Sequence, residues 1–213
     1  MALATPHLIL ASTSRYRREL LERLRLPFAV VAPEVDETPL PHEPAPQLAQ
    51  RLAIEKARAV ALQYPDSIVI GADQTACLHD QPLGKPGNSV TAQQQLRLLS
   101  GETVVFHSAM AVILGHDLQH INVPTTCVFR TLSEPAIERY IAIDQPFDTA
   151  GSAKAECLGI ALMQSMDSSD PTAIIGLPLI ALTRILSHFG LDPLLHAQPP
   201  SDPLLHAEHR AKS

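Results

Sequence analysis

The chain has 213 residues, of which 46% are hydrophobic and 18% charged, a composition typical of a globular protein rather than a disordered one. Its length allows one domain or two small ones. The formal net charge of −6 argues against nucleic acid or an anionic membrane as the main partner, because both require a sustained basic surface.

The cysteines and the N-terminal region bear on the cellular compartment in which the protein is expected. Cys77, Cys127 and Cys157 are few, odd in number and widely spaced, which favours free thiols in a reducing environment over a disulfide framework. The first apolar run starts at Leu8 without a basic leader, and no apolar stretch is long enough to span a bilayer. We therefore expect a cytoplasmic protein.

The first elements are a short buried strand and a helix, joined by a polar and cationic turn. Residues 8–10 are apolar, and leucines recur at helical spacing after residue 19. Ser12 and Ser14 are cap-type residues, so the helix should start near Ser14. Its unpaired N–H groups, the serine hydroxyls and Arg17 form a natural seat for a phosphate. An ordinary serine cap with solvated arginines explains the same residues.

A second strand at residues 27–31 opens into an acidic, proline-stiffened loop at residues 33–39. Glu34, Asp36 and Glu37 place three carboxylates within four residues, and such groups repel one another unless they are solvated or share a cation. The loop by itself is compatible with either arrangement.

Two charged residues follow on otherwise apolar elements. A helix is expected over residues 47–63, and Lys56 lies on its apolar stripe, where it needs an anionic partner or a route by which its ammonium reaches water. A buried strand is expected over residues 67–74, and its apolar run ends at Asp73. Ligands bind at the carboxyl ends of strands in open α/β sheets, so Asp73 is well placed for chemistry, although a helix or turn cap is the alternative.

The remaining pattern is strand-rich at first and helical at the end. It predicts a hairpin turn at 79–81 that leads to Lys85, a helix over 90–100, paired strands at 104–114 and 121–129, a helix over 133–143, a small-residue loop at 150–156, and a last helix after Gly176-Leu177-Pro178.

The C-terminal residues contain a short tandem repeat. The sequence of residues 192–197 is repeated at residues 202–207, and a ten-residue unit is too short to form a solenoid. We expect one domain over residues 1–193 and a mobile tail over residues 194–213. The tail histidines lack the spacing of a zinc site, so we interpret them as solvated.

Seven motifs in register over roughly residues 7 to 194 resemble the Maf family of nucleoside triphosphate pyrophosphatases, and most closely its YceF-type branch, which acts on 7-methyl-GTP. The resemblance implies a mixed α/β fold of the inosine-triphosphatase-like (Maf/Ham1) kind with two lobes, flanking helices and a central cleft for the nucleotide. It also implies a divalent metal, Mg²⁺ or Mn²⁺, and often a homodimer. The motifs are Leu10-Ala11-Ser12-Thr13-Ser14 with Arg17, Pro33 to Thr38, Arg51-Leu52-Ala53 with Glu55-Lys56-Ala57, Gly71-Ala72-Asp73-Gln74, Gly84-Lys85-Pro86, Ala150-Gly151-Ser152 and Gly176-Leu177-Pro178.

The same resemblance implies a role for each matching residue. The phosphate-binding positions fall on Ser12, Ser14 and Arg17, the metal ligands on Glu37 and Asp73, and the cleft lysines on Lys56 and Lys85. Asp73 also takes the position of the catalytic base, and substrate is distinguished at Tyr16, Gln74 and Glu156. Arg15 stands where the family usually has proline.

These residue types suit hydrolysis between the α and β phosphates, which requires a metal, a base for water, and cations that hold pyrophosphate. N7-methylated guanine is cationic, so Tyr16 offers it an aromatic face and Glu156 a carboxylate. The alternatives are the family branch that acts on dTTP and UTP, and a nucleotide-sensing regulator of cell division.

Overall fold

The computed structural model describes residues 6–79 and 81–199, and in this part of the chain an open mixed sheet is flanked by helices. The mixed α/β class predicted from the sequence is confirmed. The strands are β1 (Leu8–Ala11), β2 (Phe28–Val31), β3 (Ile68–Leu78), β4 (Gln81–Leu83), β5 (Thr103–Leu114), β6 (Asp117–Phe129) and β7 (Met163–Ser168). The helices are α1 (Arg15–Glu22), α2 (Ala45–Ala61), α3 (Ser89–Leu99), α4 (Glu134–Asp144), α5 (Leu179–His188) and α6 (Pro193–His196).

The sheet combines a parallel half with an antiparallel half. Its strand order is β2-β1-β3-β5-β6-β7, and β4 pairs with the end of β3. Strand β1 runs parallel to both β2 and β3, whereas β5, β6 and β7 continue the sheet in antiparallel pairs. The long hairpin predicted around residues 115–117 is formed by β5 and β6.

Strand β3 is longer than its apolar run indicated. We expected the strand to end near Asp73, but it continues to Leu78 because β5 pairs with it as far as Cys77. Its parallel neighbour β1 stops at Ala11, opposite Gly71. Asp73 therefore lies in the middle of its own strand but just beyond the carboxyl end of β1, where the surface opens.

The two largest apolar clusters lie at opposite ends of the long strands. The first joins the parallel half to α1 and α5, and it includes Leu10, Ile70 and Leu182. The second packs the far ends of β5 and β6 against α3 and α4, and it includes Phe106 and Phe129.

Helix α2 approaches β3 closely at a glycine. A Cβ atom at Gly71 would collide with the Ala53 carbonyl oxygen and the Ala57 backbone nitrogen, so only glycine permits this separation. Alanines of α2 are correspondingly buried against the sheet. The close approach brings Lys56 of α2 beside Asp73 of β3.

The first copy of the tandem repeat includes a single helical turn, α6, which the sequence did not predict. The Asp192 side chain accepts a hydrogen bond from the Leu194 backbone N–H, and the Gln198 N–H donates to the Arg25 carbonyl at 2.8 Å. The second copy, at 202–207, lies outside the described residues. The domain boundary and the mobility of the tail stay predictions. Across residues 6–79 and 81–199, every helix is too short or too polar to cross a membrane.

Candidate active site

One cleft of about 670 Å³ collects nearly all of the residues that the sequence singled out. It opens between the end of β1, the start of α1, the acidic loop before α2, and the β3–β4 hairpin. The predicted site residues that line it are Ser12, Ser14, Tyr16, Arg17, Glu37, Lys56, Asp73, Gln74 and Lys85. Glu156 is not among the residues that line this cleft.

The start of α1 presents hydroxyls and backbone N–H groups to the cleft. Ser14 is the N-cap, as predicted, and its Oγ accepts a hydrogen bond from the Arg17 backbone N–H at 3.4 Å. The Ser12 Oγ in turn accepts from the Ser14 N–H at 3.1 Å. Both oxygens act as acceptors in these bonds, so the hydroxyl protons can be donated to an anion.

Two cations face the same space without a carboxylate in contact. The Arg17 Nε donates to the Gly176 carbonyl at 3.1 Å, and Lys85 is exposed at the cleft wall. Desolvation lowers the pKa of Arg17, and the charges of Asp73 and Glu37 oppose that shift. An arginine stays protonated in either case. Within the described ranges neither Arg17 nor Lys85 forms a salt bridge, so both charges can attract a phosphate.

Lys56 connects the two acidic residues of the site. Its Nζ lies 2.8 Å from Glu37 Oε1 and 2.8 Å from Asp73 Oδ1. Only 5% of Lys56 and 7% of Asp73 is exposed. The inward-facing lysine therefore has anionic partners rather than a route to water, and Asp73 is not a helix or turn cap. Glu37 shares a cation, which is one of the two arrangements left open for its loop.

The acidic pair is compatible with a divalent metal. Burial raises the pKa of Glu37, but the hydrogen bond and charge of Lys56, with Lys85 and Arg17, outweigh it and hold the pKa below its ordinary value. Lys56 contacts one oxygen of each carboxylate, which leaves the second oxygen of each as a hard ligand. The described residues contain no group of three or more His, Cys, Asp or Glu side chains arranged so that they could hold a metal ion. Mg²⁺ commonly takes only one or two carboxylates and fills its other positions with phosphate oxygens and water.

Gln74 is held in place by the loop that carries Gly176. Its Nε2 lies 2.9 Å from Ser108 Oγ, 3.1 Å from the Ala173 carbonyl and 2.9 Å from the Ile174 carbonyl. These bonds commit the amide nitrogen to the protein and tie β3 and β5 to the segment that ends at Gly176. Gln74 therefore also helps to position the carbonyl that holds Arg17, a role that its sequence motif did not indicate.

Comparison with known proteins identifies the family. A family model described as Maf-like protein matches residues 7–189. The chain belongs to the Maf family. The relatives it matches include the "7-methyl-GTP pyrophosphatase" of Bordetella pertussis, which is 61% identical over 89% of this chain and 95% of that protein. The proteins of the same name from Aromatoleum aromaticum and Thiobacillus denitrificans are 54% and 52% identical, over 86% and 91% of this chain and 96% and 98% of theirs. A solved HAM1 protein from Coxiella burnetii aligns with a TM-score of 0.49 at 14% identity, over 86% of this chain and 99% of that one.

Arg15, which stands where the Maf family usually has proline, contacts a residue of the site. Its guanidinium lies 4.7 Å from the centroid of the Tyr16 ring, and its Nη2 donates to the Tyr16 hydroxyl at 2.8 Å. Arg15 is exposed to solvent, and its side chain also covers a face of the tyrosine.

Sequence reasoning missed Asp148 and Lys154, which adjoin Tyr16. The Tyr16 hydroxyl donates to Asp148 Oδ2 at 3.2 Å, and Asp148 lines the cleft. The Lys154 Nζ lies 3.1 Å from Asp148 Oδ1 and 5.9 Å from the Tyr16 ring centroid. Both residues are in or next to the small-residue loop that the sequence flagged at 150–156, but only their spatial proximity to Tyr16 distinguishes them.

Glu156 is the last residue of that loop and lies at the protein surface. Desolvation raises the pKa of its carboxyl group, the Lys154 charge opposes this, and the charges of Asp148 and Asp144 reinforce it. The structure thus places Glu156 near the Tyr16 side of the molecule but outside the cleft wall. Its assignment to base recognition stays a prediction.

Proposed function

We propose that this chain hydrolyses 7-methyl-GTP between its α and β phosphates, which releases 7-methyl-GMP and pyrophosphate. The names of relatives at 52–61% identity support this activity. So does the agreement between the residues that line the cleft and the groups that such a reaction requires.

The observation that carries the proposal is the charge arrangement in one cleft. Two carboxylates share Lys56 at 2.8 Å each, while Arg17 and Lys85 line the same space without ion pairs among the described residues. A triphosphate carries several negative charges, and its hydrolysis needs cations at the phosphates together with a base for the attacking water. A structural salt-bridge network would instead pair each cation with a carboxylate.

In this proposal, residues at different positions in the cleft have different roles in the reaction. The phosphate tail lies at the N-terminus of α1, where the hydroxyls of Ser12 and Ser14 and the Arg17 guanidinium donate hydrogen bonds to it. Lys85 balances charge on the leaving pyrophosphate. Asp73 orients a water for in-line attack and accepts its proton, and Lys56 holds that carboxylate in place.

A divalent cation, Mg²⁺ or Mn²⁺, completes the proposal. Glu37 and Asp73 are the residues that would hold it, and the bound cation would supply positive charge to the phosphate oxygens. We also propose that the chain forms a homodimer and is located in the cytoplasm.

Selectivity for the methylated base rests on Tyr16 in this proposal. N7-methylation gives guanine a positive charge, and a cation over an aromatic ring gains about 0.5 to 2 kcal/mol, depending on desolvation. The Tyr16 ring already has the Arg15 guanidinium over it and Lys154 nearby. The environment of this ring therefore suits cations, but a cationic base must share the ring with Arg15 or displace it.

The test is a substrate screen with the purified full-length protein. Pyrophosphate and nucleoside monophosphate are measured with 7-methyl-GTP, GTP, dTTP and UTP, with Mg²⁺ or Mn²⁺ and with excess chelator. We expect turnover of 7-methyl-GTP to exceed that of the others and to stop with chelator. Preference for dTTP or UTP would assign the chain to the other branch, and tight nucleotide binding without turnover would favour a regulatory role.

A further inference from the structure

We infer that Asp148 determines base specificity, because its carboxylate accepts hydrogen bonds from the N1–H and 2-amino groups of a guanine base seated against Tyr16. This inference rests on the proposed function and assigns to Asp148 the recognition role that family resemblance implied for Glu156.

Asp148 is positioned to meet a base that occupies the cleft. Asp148 lines the cleft, whereas Glu156 does not. The Asp148 side chain is 55% exposed, so a ligand in the cleft can reach it. Its Oδ2 accepts from the Tyr16 hydroxyl at 3.2 Å, which places a carboxylate at the edge of the aromatic ring proposed to stack on the base.

Lys154 fixes the orientation of the Asp148 carboxylate. Lys154 is 5% exposed, and its Nζ donates to the carbonyls of Asp144 and Gln145 at 3.1 Å each. The same Nζ lies 3.1 Å from Asp148 Oδ1. The lysine is thus fixed by the end of α4 and by the residue after it, and it holds the carboxylate in one direction. Preorganisation of this kind reduces the entropy cost of binding a ligand.

The neighbours of Asp148 also favour the charged form of its carboxyl group. Burial raises the pKa of Asp148, but the hydrogen bond and charge of Lys154 and the hydrogen bond from Tyr16 outweigh it and keep the pKa below its ordinary value. The group is therefore a carboxylate at neutral pH and acts only as an acceptor. Two neighbouring N–H donors on a base match its two oxygens, and a negative charge favours a cationic base.

The experiment compares Asp148→Asn with wild type on GTP and ITP, which differ only in the 2-amino group, and on 7-methyl-GTP. Asp66→Asn is the matched control, because Asp66 is exposed and lies outside the cleft lining. Glu156→Gln is measured in parallel, and thermal unfolding establishes that each variant is folded. Asparagine keeps one acceptor for Lys154 and Tyr16 but removes the charge and presents N–H donors to the base.

We expect wild type to prefer GTP over ITP in kcat/KM, and Asp148→Asn to reduce that preference by about tenfold to a hundredfold, the range for a charge-assisted hydrogen bond. Asp66→Asn should retain the wild-type ratio. If Asp148 only anchors Lys154 and Tyr16, the variant will lose activity equally on both substrates, which overturns the inference. Loss of the preference in Glu156→Gln but not in Asp148→Asn also overturns it. Failure of wild type to hydrolyse any guanine triphosphate would instead count against the proposed function.

Discussion

Replacing Lys56 with methionine should destabilise the protein strongly as well as inactivate it. Methionine retains the apolar stem of lysine but removes the ammonium that contacts both Glu37 and Asp73 at 2.8 Å. The Lys56 and Asp73 side chains are only 6% and 10% exposed, so Asp73 would become a buried carboxylate without a cation in contact. The same substitution removes the cation that offsets the mutual repulsion of the Glu37 and Asp73 carboxylates.

The expected loss of stability is large because the ion pair between Lys56 and Asp73 is buried. Removing one partner of a buried ion pair costs about 3 to 5 kcal/mol, and for a chain of this size each kcal/mol lowers Tm by about 2 to 4 °C. We therefore expect Tm to fall by about 6 to 20 °C.

The assay is urea unfolding at neutral pH, followed by circular dichroism, with comparison of midpoints at constant m-value. Lys85→Met is the control, because Lys85 is a cation of the same cleft that is exposed, and its loss should change stability by no more than about 0.5 kcal/mol. The double variant Lys56→Met/Asp73→Asn should be less destabilised than the sum of the two single variants. A Lys56→Met protein within about 1 kcal/mol of wild type would refute the view that this lysine compensates a buried charge.

Other substitutions separate the parts of the site. Asp73→Asn should abolish pyrophosphate release while the protein stays folded by circular dichroism, and substantial turnover would remove Asp73 from the role of base. Arg17→Ala and Lys85→Ala should each lower kcat/KM by a factor equivalent to about 2 to 4 kcal/mol, and wild-type kinetics in both would exclude them from phosphate binding. Arg15→Ala should uncover the neighbouring tyrosine ring and lower KM for 7-methyl-GTP by about twofold to fivefold; a higher KM would mean that this arginine binds substrate. Truncation after Pro199 should leave activity and Tm nearly unchanged. A large loss in either would show that the removed residues, 200–213, pack on the domain or on a second subunit.

Much of the secondary structure could be predicted because it depends on local patterns. The cap at Ser14, the β5–β6 hairpin and the last helix after Pro178 follow from cap residues, turn residues and apolar periodicity. Motif resemblance also named nine residues that line the cleft. These features depend on residues that are close in the sequence or separated by a fixed spacing, so they can be recognised in a single sequence.

Tertiary structure decided which charges meet. From the sequence, the Lys56 ammonium could reach water and Glu37 could be solvated. The close approach of α2 to β3 at Gly71 instead brings Lys56 to Asp73, and the path of the acidic loop brings Glu37 to Lys56. The continuation of β3 beyond Asp73 depended on pairing with β5, which no local pattern reveals.

The same limit applies to the residues around Tyr16. Asp148 and Tyr16 are 132 positions apart in the chain, and Glu156, which resemblance favoured, lies outside the cleft wall. Periodicity specifies which side of an element faces the core, but the direction and contacts of a loop side chain depend on packing between distant segments. The sequence by itself therefore determined the elements and the chemical groups available, and only the fold determined which of those groups face one another across the cleft.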